Sequence, residues 1–325
     1  MRRRAKQRIA GLAARLHELL NRLEDRLTQG AGDPVPPDPD EVAEDPIEIV
    51  GTGAAAHPVR TVDLFGRAYL VAGVADDHNY LAGLGEHGSE QTYHRVCSQF
   101  LPEDGVVVDV GANIGITTLI AAGQTPGRTV YAIEAGPDIY GRLAENIAAN
   151  HLTSVHAYQF AVGSEARTVA FTELSAYGHV TVGDEHNAEG SHIAVSMRTL
   201  DEFIETEQIA SVDLVKIDVE GFEPNALEGY VTAERRDKPL FYVEFNSWAL
   251  SAFGRVNPME FLEYVIDRFA EVRYFDGADL VRLDGGTKYA FLHRNLVEHG
   301  CVDDILFTND PRRMVPSKSP LADDI

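Results

Sequence analysis

The sequence predicts an α/β fold built on a doubly wound, mostly parallel sheet. Three observations carry that expectation. From about residue 103 onward, short apolar runs alternate with helix-forming segments, the pattern of parallel strands joined by right-handed crossovers. Two of those runs, Val106–Val110 and Val212–Ile217, lead into turns that combine acids with glycine, namely Asp109-Val110-Gly111-Ala112-Asn113-Ile114-Gly115 and Asp218-Val219-Glu220-Gly221. In open α/β sheets ligands bind outside the carboxyl ends of strands, where such turns lie. The 325 residues are 44% apolar and 24% charged, an ordinary composition for a folded globular chain.

Residues 1–28 stand apart. Ile9, Leu12, Leu16, Leu19 and Leu23 recur at spacings of three and four, a heptad seam for an amphipathic, coiled-coil-like helix. This segment carries eight Arg/Lys against three Asp/Glu, a net of +5. So short a helix is marginal alone. Self-association into a homo-oligomer is the first expectation, and contact of its basic face with a membrane surface is the second. Residues 29–46, with Pro34, Pro36, Pro37, Pro39 and Pro46 among acids, form an extended linker. Residues 47–102 supply a hairpin (Val59–Leu64, Ala68–Val74) and two helices (Asp76–Leu84, Ser89–Leu101) that cover the site.

The main domain spans 103–308. Val106–Val110 is a strand and Ile114–Gly123 a helix. Thr129–Glu134 is a strand, and the next helix, Pro137–Asn150, starts on a proline whose missing N–H costs nothing there. Val155–Phe160 is a strand. Arg167–Thr172 and His192–Arg198 form a hairpin around a polar loop, flanked by His179, His186 and His192 as solvated residues. Leu200–Glu207 is a helix, Val212–Ile217 a strand, Pro224–Gly229 a short helix, Leu240–Phe245 a strand and Pro258–Phe269 a helix. Val272–Phe275, Leu280–Leu283 and Tyr289–His293 are expected to close the sheet, and 309–325 is a loosely held tail.

The net charge of −23 excludes a general nucleic-acid binder, which needs a basic face. Cys97 and Cys301 are the only cysteines, too few for a disulfide framework. No apolar run reaches the length of a membrane span, and no apolar block follows the N-terminal arginines as in a secretory signal. The expected location is cytoplasmic, with peripheral contact at the inner membrane face through the basic helix as the alternative. No histidine spacing marks a zinc site, and no metal is assigned.

The first turn discriminates between ligands. A dinucleotide pyrophosphate favours G-x-G-x-x-G, but Asn113 stands at the second glycine. Asp109 would oppose phosphate and favour a cationic ligand such as S-adenosylmethionine, which carries an ammonium and a sulfonium. Gly111, Asn113 and Gly115 shape the turn. Glu134, 19 residues beyond Gly115, suits ribose hydroxyls, although capping the next helix would explain it too. Ala161 and Val162 offer an apolar wall for adenine. Asp218 and Glu220 lie where a base for an acceptor hydroxyl is useful, Asp218 also touching the donor; a divalent cation on the pair is the alternative. Glu244 and Asn246, with Trp248 near, face the same crevice. An NAD-dependent oxidoreductase and a non-catalytic oligomerising Rossmann-like protein are the competing classes.

Taken together, Asp109-Val110-Gly111-Ala112-Asn113-Ile114-Gly115, Glu134, Ala161-Val162-Gly163, Thr199-Leu200-Asp201 and Ile217-Asp218-Val219-Glu220-Gly221-Phe222-Glu223 resemble, in order, the motifs of FkbM-type methyltransferases, over roughly residues 60–295. The resemblance implies a class I methyltransferase Rossmann-like fold, S-adenosylmethionine as donor, and O-methylation of a small-molecule or glycan acceptor. Within that family the acceptors are sugars of glycans or glycolipids and macrolide-type natural products. It says nothing about the N-terminal helix or about the base. Deleting residues 1–28 is expected to convert a dimer into a monomer, as read by light scattering; an unchanged mass would remove self-association through this segment.

Overall fold

A computed structural model of the chain describes residues 59–73, 88–125, 127–174, 177–181 and 191–316. The expectations for residues 1–46, the helix at 76–84, His186 and the tail beyond 316 lie outside the described residues. Strands β1 (Val59–Asp63) and β2 (Ala68–Ala72) form the expected antiparallel hairpin. Helix α1 (Gly88–Phe100) follows, and then the main sheet begins with β3 (Val106–Val110), α2 (Ile116–Gln124), β4 (Thr129–Glu134), α3 (Pro137–Ala149) and β5 (Val155–Gln159).

After β5 the chain leaves the main sheet. Strands β6 (Ala161–Val162), β7 (Arg167–Leu174), β8 (Tyr177–Val180) and β9 (Ser191–Arg198) make a second sheet in the order β6-β9-β7-β8. The chain returns through α4 (Leu200–Thr206), whose start is fixed by a capping box between Thr199 and Glu202. It then runs through β10 (Leu214–Ile217), α5 (Glu223–Glu228), α6 (Thr232–Asp237) and β11 (Leu240–Asn246). The last elements are α7 (Ser247–Ala252), α8 (Pro258–Arg268), β12 (Glu271–Asp276), β13 (Asp279–Arg282), α9 (Lys288–Val297) and β14 (Val302–Thr308), followed by a 3-10 turn at Pro311–Met314.

The main sheet has the order β13-β12-β14-β11-β10-β3-β4-β5. From β11 to β5 every pairing is parallel, while β14 runs antiparallel to both β11 and β12, and β13 antiparallel to β12. The first five strands of this sheet in chain order therefore lie 3-2-1-4-5 across it. The order reverses between β3 and β10, and such a switch point is where α/β sheets hold ligands. Both acid–glycine turns sit there.

The closing edge differs from expectation. Tyr289–His293 belongs to α9, and the strand that completes the sheet is Val302–Thr308. Aromatic and apolar residues at 289–292 suggest a strand, but Phe291 and Asn295, four apart, are the buried positions of this segment, the spacing of a helix face. In β14, Asp303 and Asp304 interrupt the apolar run, and only tertiary pairing with β11 reveals the strand. The short helices α6 and α7 were not anticipated either.

Two apolar cores pack the faces of the main sheet. One lies around Phe203, Phe241, Phe245 and Phe307. The other includes Tyr93, Leu119, Leu143 and Tyr242 and takes in the β1–β2 hairpin through Tyr69 and Val71. Arg128 is almost wholly buried and donates to the carbonyls of Ala121, Cys97 and Pro102, which pins α1 and α2 to the start of β4. Cys97 is buried beside it, and burial pushes its thiol up to about 12. No helix among the described residues is long and apolar enough to cross a membrane.

The turn after β10 is held by close backbone contact. Gly221 has φ +92°, and an added Cβ would lie 2.3 Å from the Ala249 carbonyl oxygen. Both the left-handed backbone and the clash are with main chain that cannot swing aside. Gly221→Ala is expected to lower stability by about 2–4 kcal/mol, measured by urea unfolding; a wild-type midpoint would contradict this packing.

Candidate active site at the sheet switch point

Strand alternation builds the site. On one face of the sheet, Asp109, Lys216 and Tyr242 lie side by side on β3, β10 and β11. Two residues further toward the carboxyl edge come Gly111, Asp218 and Glu244, with Asp304 opposite Glu244 on the antiparallel β14. Residues two apart share a face, so polar side chains at these positions all emerge on one side. Helix α1 covers this side, with Tyr93 packed edge-on to Tyr242 at 5.2 Å.

Lys216 is the centre of this arrangement, and it was absent from the expected site. It is 4% exposed. Its Nζ donates to the Gly111 carbonyl at 2.8 Å and lies 3.5 Å from Asp109 Oδ1 and 3.4 Å from Asp218 Oδ2. Burial disfavours its charge, but Asp218 and Asp109 outweigh burial and hold its pKa above that of an ordinary lysine. Its signal in the sequence was a lysine inside Leu214–Ile217, a strand buried throughout.

Asp109 sits behind the cavity wall rather than on it. It is fully buried, and its Oδ2 accepts from the hydroxyls of Thr117 (2.8 Å) and Thr118 (2.6 Å) at the start of α2. Its oxygens face Lys216 and these threonines, so its influence on a ligand passes through them. Gly111 has φ +71°, and a Cβ there would lie 1.7 Å from the Asp218 carbonyl oxygen. The two ligand turns are thus pressed against each other. Gly115 caps α2 and lies outside the cavity lining.

Glu134 ends β4. Its Oε2 accepts from Asn113 N at 2.9 Å and its Oε1 from Gly136 N at 2.8 Å. It joins the first turn to the start of α3, so the capping reading and a cavity position coexist. Burial raises its pKa while these backbone donors oppose the rise.

A cavity of about 580 Å³ opens over these residues, within the range of small-molecule and cofactor sites. Gly111, Asn113, Glu134, Ala161, Val162, Asp218 and Glu220 all line it, as expected of a shared site, and Phe171 and Val180 of the second sheet wall it on another side. Six of its lining residues are carboxylic acids (Glu90, Glu134, Asp218, Glu220, Glu244 and Asp304), against Lys216 as its one Lys, Arg or His among the described residues. Of these, Glu90 and Asp304 escaped the sequence reading. Among the described residues no three His, Cys, Asp or Glu side chains are arranged to hold a metal ion.

Crowded, buried acids resist ionisation. Burial and then Asp218 and Glu223 push Glu220 up to about 8. Glu223 is fully buried, its Oε1 accepting from Val219 N and Gly221 N, and burial pushes it up to about 7 against those donors. Asp304 is also raised to about 7 by burial, despite its hydrogen bond with Tyr242. Glu244 rises well above the carboxylate range through burial and the charges of Asp218, Glu220, Glu223 and Asp304.

Other expected positions fall elsewhere. Asn246 caps α7, accepting from Ala249 N at 3.0 Å, and Trp248 is 57% exposed. His192 is exposed and bonds Thr172. His179 departs from the solvated-loop expectation: it is 6% exposed and stacks on Phe253 at 3.9 Å, because β8 brings it under α7.

Residues 109–276 match the Methyltransferase FkbM domain family. The chain belongs to this family of S-adenosylmethionine-dependent methyltransferases. It is 30% identical over 148 residues to the hexuronic acid methyltransferase AglP of Haloferax volcanii, covering 44% of this chain and 57% of that protein. It is 31% identical over 175 residues to the 31-O-demethyl-FK506 methyltransferase FkbM of Streptomyces tacrolimicus, covering 45% and 66%. A solved FkbM methyltransferase from Methylobacillus flagellatus aligns over 70% of this chain and 52% of its own, at TM-score 0.39 and 15% identity. The matches to the curated relatives span about three fifths of those proteins' length.

The raised acids set the sign of pH dependence. Glu220, Glu223 and Asp304 bind protons more tightly folded than unfolded. Their contribution is complete below the unfolded carboxylate pKa and is lost as pH rises through about 7 to 8. Stability is therefore expected to fall on the order of 1–3 kcal/mol between pH 6 and pH 8.5, by denaturant titration; a rise over this window would contradict the buried-acid arrangement.

Proposed function

We propose that the chain is an O-methyltransferase that moves the methyl group of S-adenosylmethionine to a hydroxyl of a sugar in a glycan or glycolipid. The observation that carries the donor is the cavity's charge, six carboxylic acids and one lysine among the described residues at the sheet switch point. That lining repels a pyrophosphate and suits a ligand bearing an ammonium and a sulfonium. The chain's residues fit the donor in other respects. Gly111 lines the cavity at the first turn, Glu134 presents there a carboxylate that the backbone N–H groups of Asn113 and Gly136 already orient for a ribose hydroxyl, and Ala161 and Val162 give an apolar wall.

Bound S-adenosylmethionine supplies an electrophilic methyl carbon, so the protein's task is placement. Lys216 fixes the relative position of both turns by binding Gly111 O and Asp218 together. Asp109 acts as a positioning residue by holding Lys216 and the first turn of α2. Asp218 and Glu220 face the cavity as candidate bases for the acceptor, Glu220 near its midpoint at mildly alkaline pH. The sugar acceptor is supported by the resemblance to AglP, whose name states a hexuronic acid substrate.

Calorimetry is expected to show binding of S-adenosylhomocysteine and none of NAD, and Asp109→Ala is expected to weaken that binding at least tenfold. NAD binding would replace this reading with the oxidoreductase one, and normal affinity in Asp109→Ala would remove the positioning role. Transfer of label from methyl-labelled donor to sugar hydroxyls, scored against macrolide acceptors, tests the acceptor class.

A further inference from the structure

The cavity contains a pair of acids that the proposed donor and acceptor roles leave unassigned. Glu244 and Asp304 face each other across β11 and β14 as directly opposed residues, which puts their Cβ atoms about 5 Å apart on one face. Both line the cavity. Glu244 Oε2 is buried without a hydrogen-bond partner, whereas Asp304 is bonded to Tyr242. An unpartnered buried carboxyl oxygen on a cavity wall is expensive unless a ligand or a proton occupies it.

We propose that Glu244 and Asp304 share one proton in the free protein, release it when the cationic donor enters the cavity, and take a proton back once methyl transfer removes the donor's positive charge. This rests on the methyl-transfer reading. Two adjacent, partly buried carboxylates among further acids cannot both ionise readily, so one proton stays on the pair. The pair is faced by Asp218 and Glu220 beyond β10, by Glu223 of α5, by Lys216, by Asp303 of β14, by Tyr242 and Tyr93, and by Glu90 of α1. Lys216 is its one positive neighbour among these. A second positive charge in the same cavity shifts the balance toward ionisation. Asp304, near 7, is poised for that change at physiological pH.

Charge and atoms balance. The acceptor oxygen forms its bond to the methyl carbon as the carbon–sulfur bond breaks, and that bonding pair stays on sulfur. The acceptor's proton passes to Asp218 or Glu220 and from that acid to the ionised pair, restoring the protonated free state. The sulfonium is neutral after transfer, so the charge that held the pair ionised disappears in the same step.

Proton linkage tests this without any acceptor. S-adenosylmethionine and S-adenosylhomocysteine differ by the sulfonium charge. Calorimetry at pH 7 in buffers of differing ionisation enthalpy is expected to show about half a proton more released with S-adenosylmethionine than with S-adenosylhomocysteine. Glu244→Gln and Asp304→Asn should each bind both ligands and abolish the difference. Equal release for both ligands in the wild-type chain, or a difference that persists in a variant that binds, overturns the inference while leaving the donor reading intact. Failure of the wild-type chain to bind either ligand overturns the donor reading and this one with it.

Discussion

The buried ammonium of Lys216 is the interaction on which the rest of the structure depends. Removing two charges from water costs more than their mutual attraction returns unless other hydrogen bonds complete the shell. Here the shell is nearly complete: the carbonyl of Gly111 and the carboxylates of Asp109 and Asp218 surround the lysine, and two threonine hydroxyls complete one oxygen of Asp109. Asp109 and Gly111 belong to β3 and the turn after it, and Asp218 to the turn after β10. The ion pairs therefore fix the registration of β3, β10 and both turns that follow them. Gly111 has to lack a side chain because this registration presses its Cα against the Asp218 carbonyl.

Around that centre the charge is unbalanced. The edge that gathers Asp218, Glu220, Glu244 and Asp304 has one cation among the described residues, and every resolved pKa shift among its acids is upward. A core optimised for stability alone would not keep such a group of acids. Perturbed titration in a cleft is a mark of function, and the sign of the imbalance selects the ligand. In the sequence pattern of the first turn, Asp109 alone carries this charge. In the fold Asp109 is neutralised by Lys216, and the excess charge lies further out along the strands.

Much of the fold was legible because hydrophobic runs and glycine turns report strands and crossovers directly. The parallel strands, the capped helix at Thr199 and the hairpin at 59–72 need only local pattern. What escaped the sequence depends on distant pairing. Asp303 and Asp304 read as a polar interruption until β11 lies beside them. Lys216 reads as part of a motif until the burial of its whole strand shows that it needs acid partners. Glu90 and Tyr93 sit on a helix whose docking over the sheet no local spacing encodes. His179 has the composition of a loop around it and becomes buried only because Phe253 covers it.

The second sheet interrupts the crossover between β5 and β10. Among the described residues its strands pair with one another alone, yet Phe171 and Val180 form part of the cavity wall. The main ladder does not depend on the length of the β7–β9 excursion, since β10 takes its register from β3 and β11. Changes in that excursion would reshape one wall and leave Lys216 and its partners in place. The architecture thus divides the cavity between a half whose geometry is locked by strand register and a wall whose shape can vary without disturbing that register.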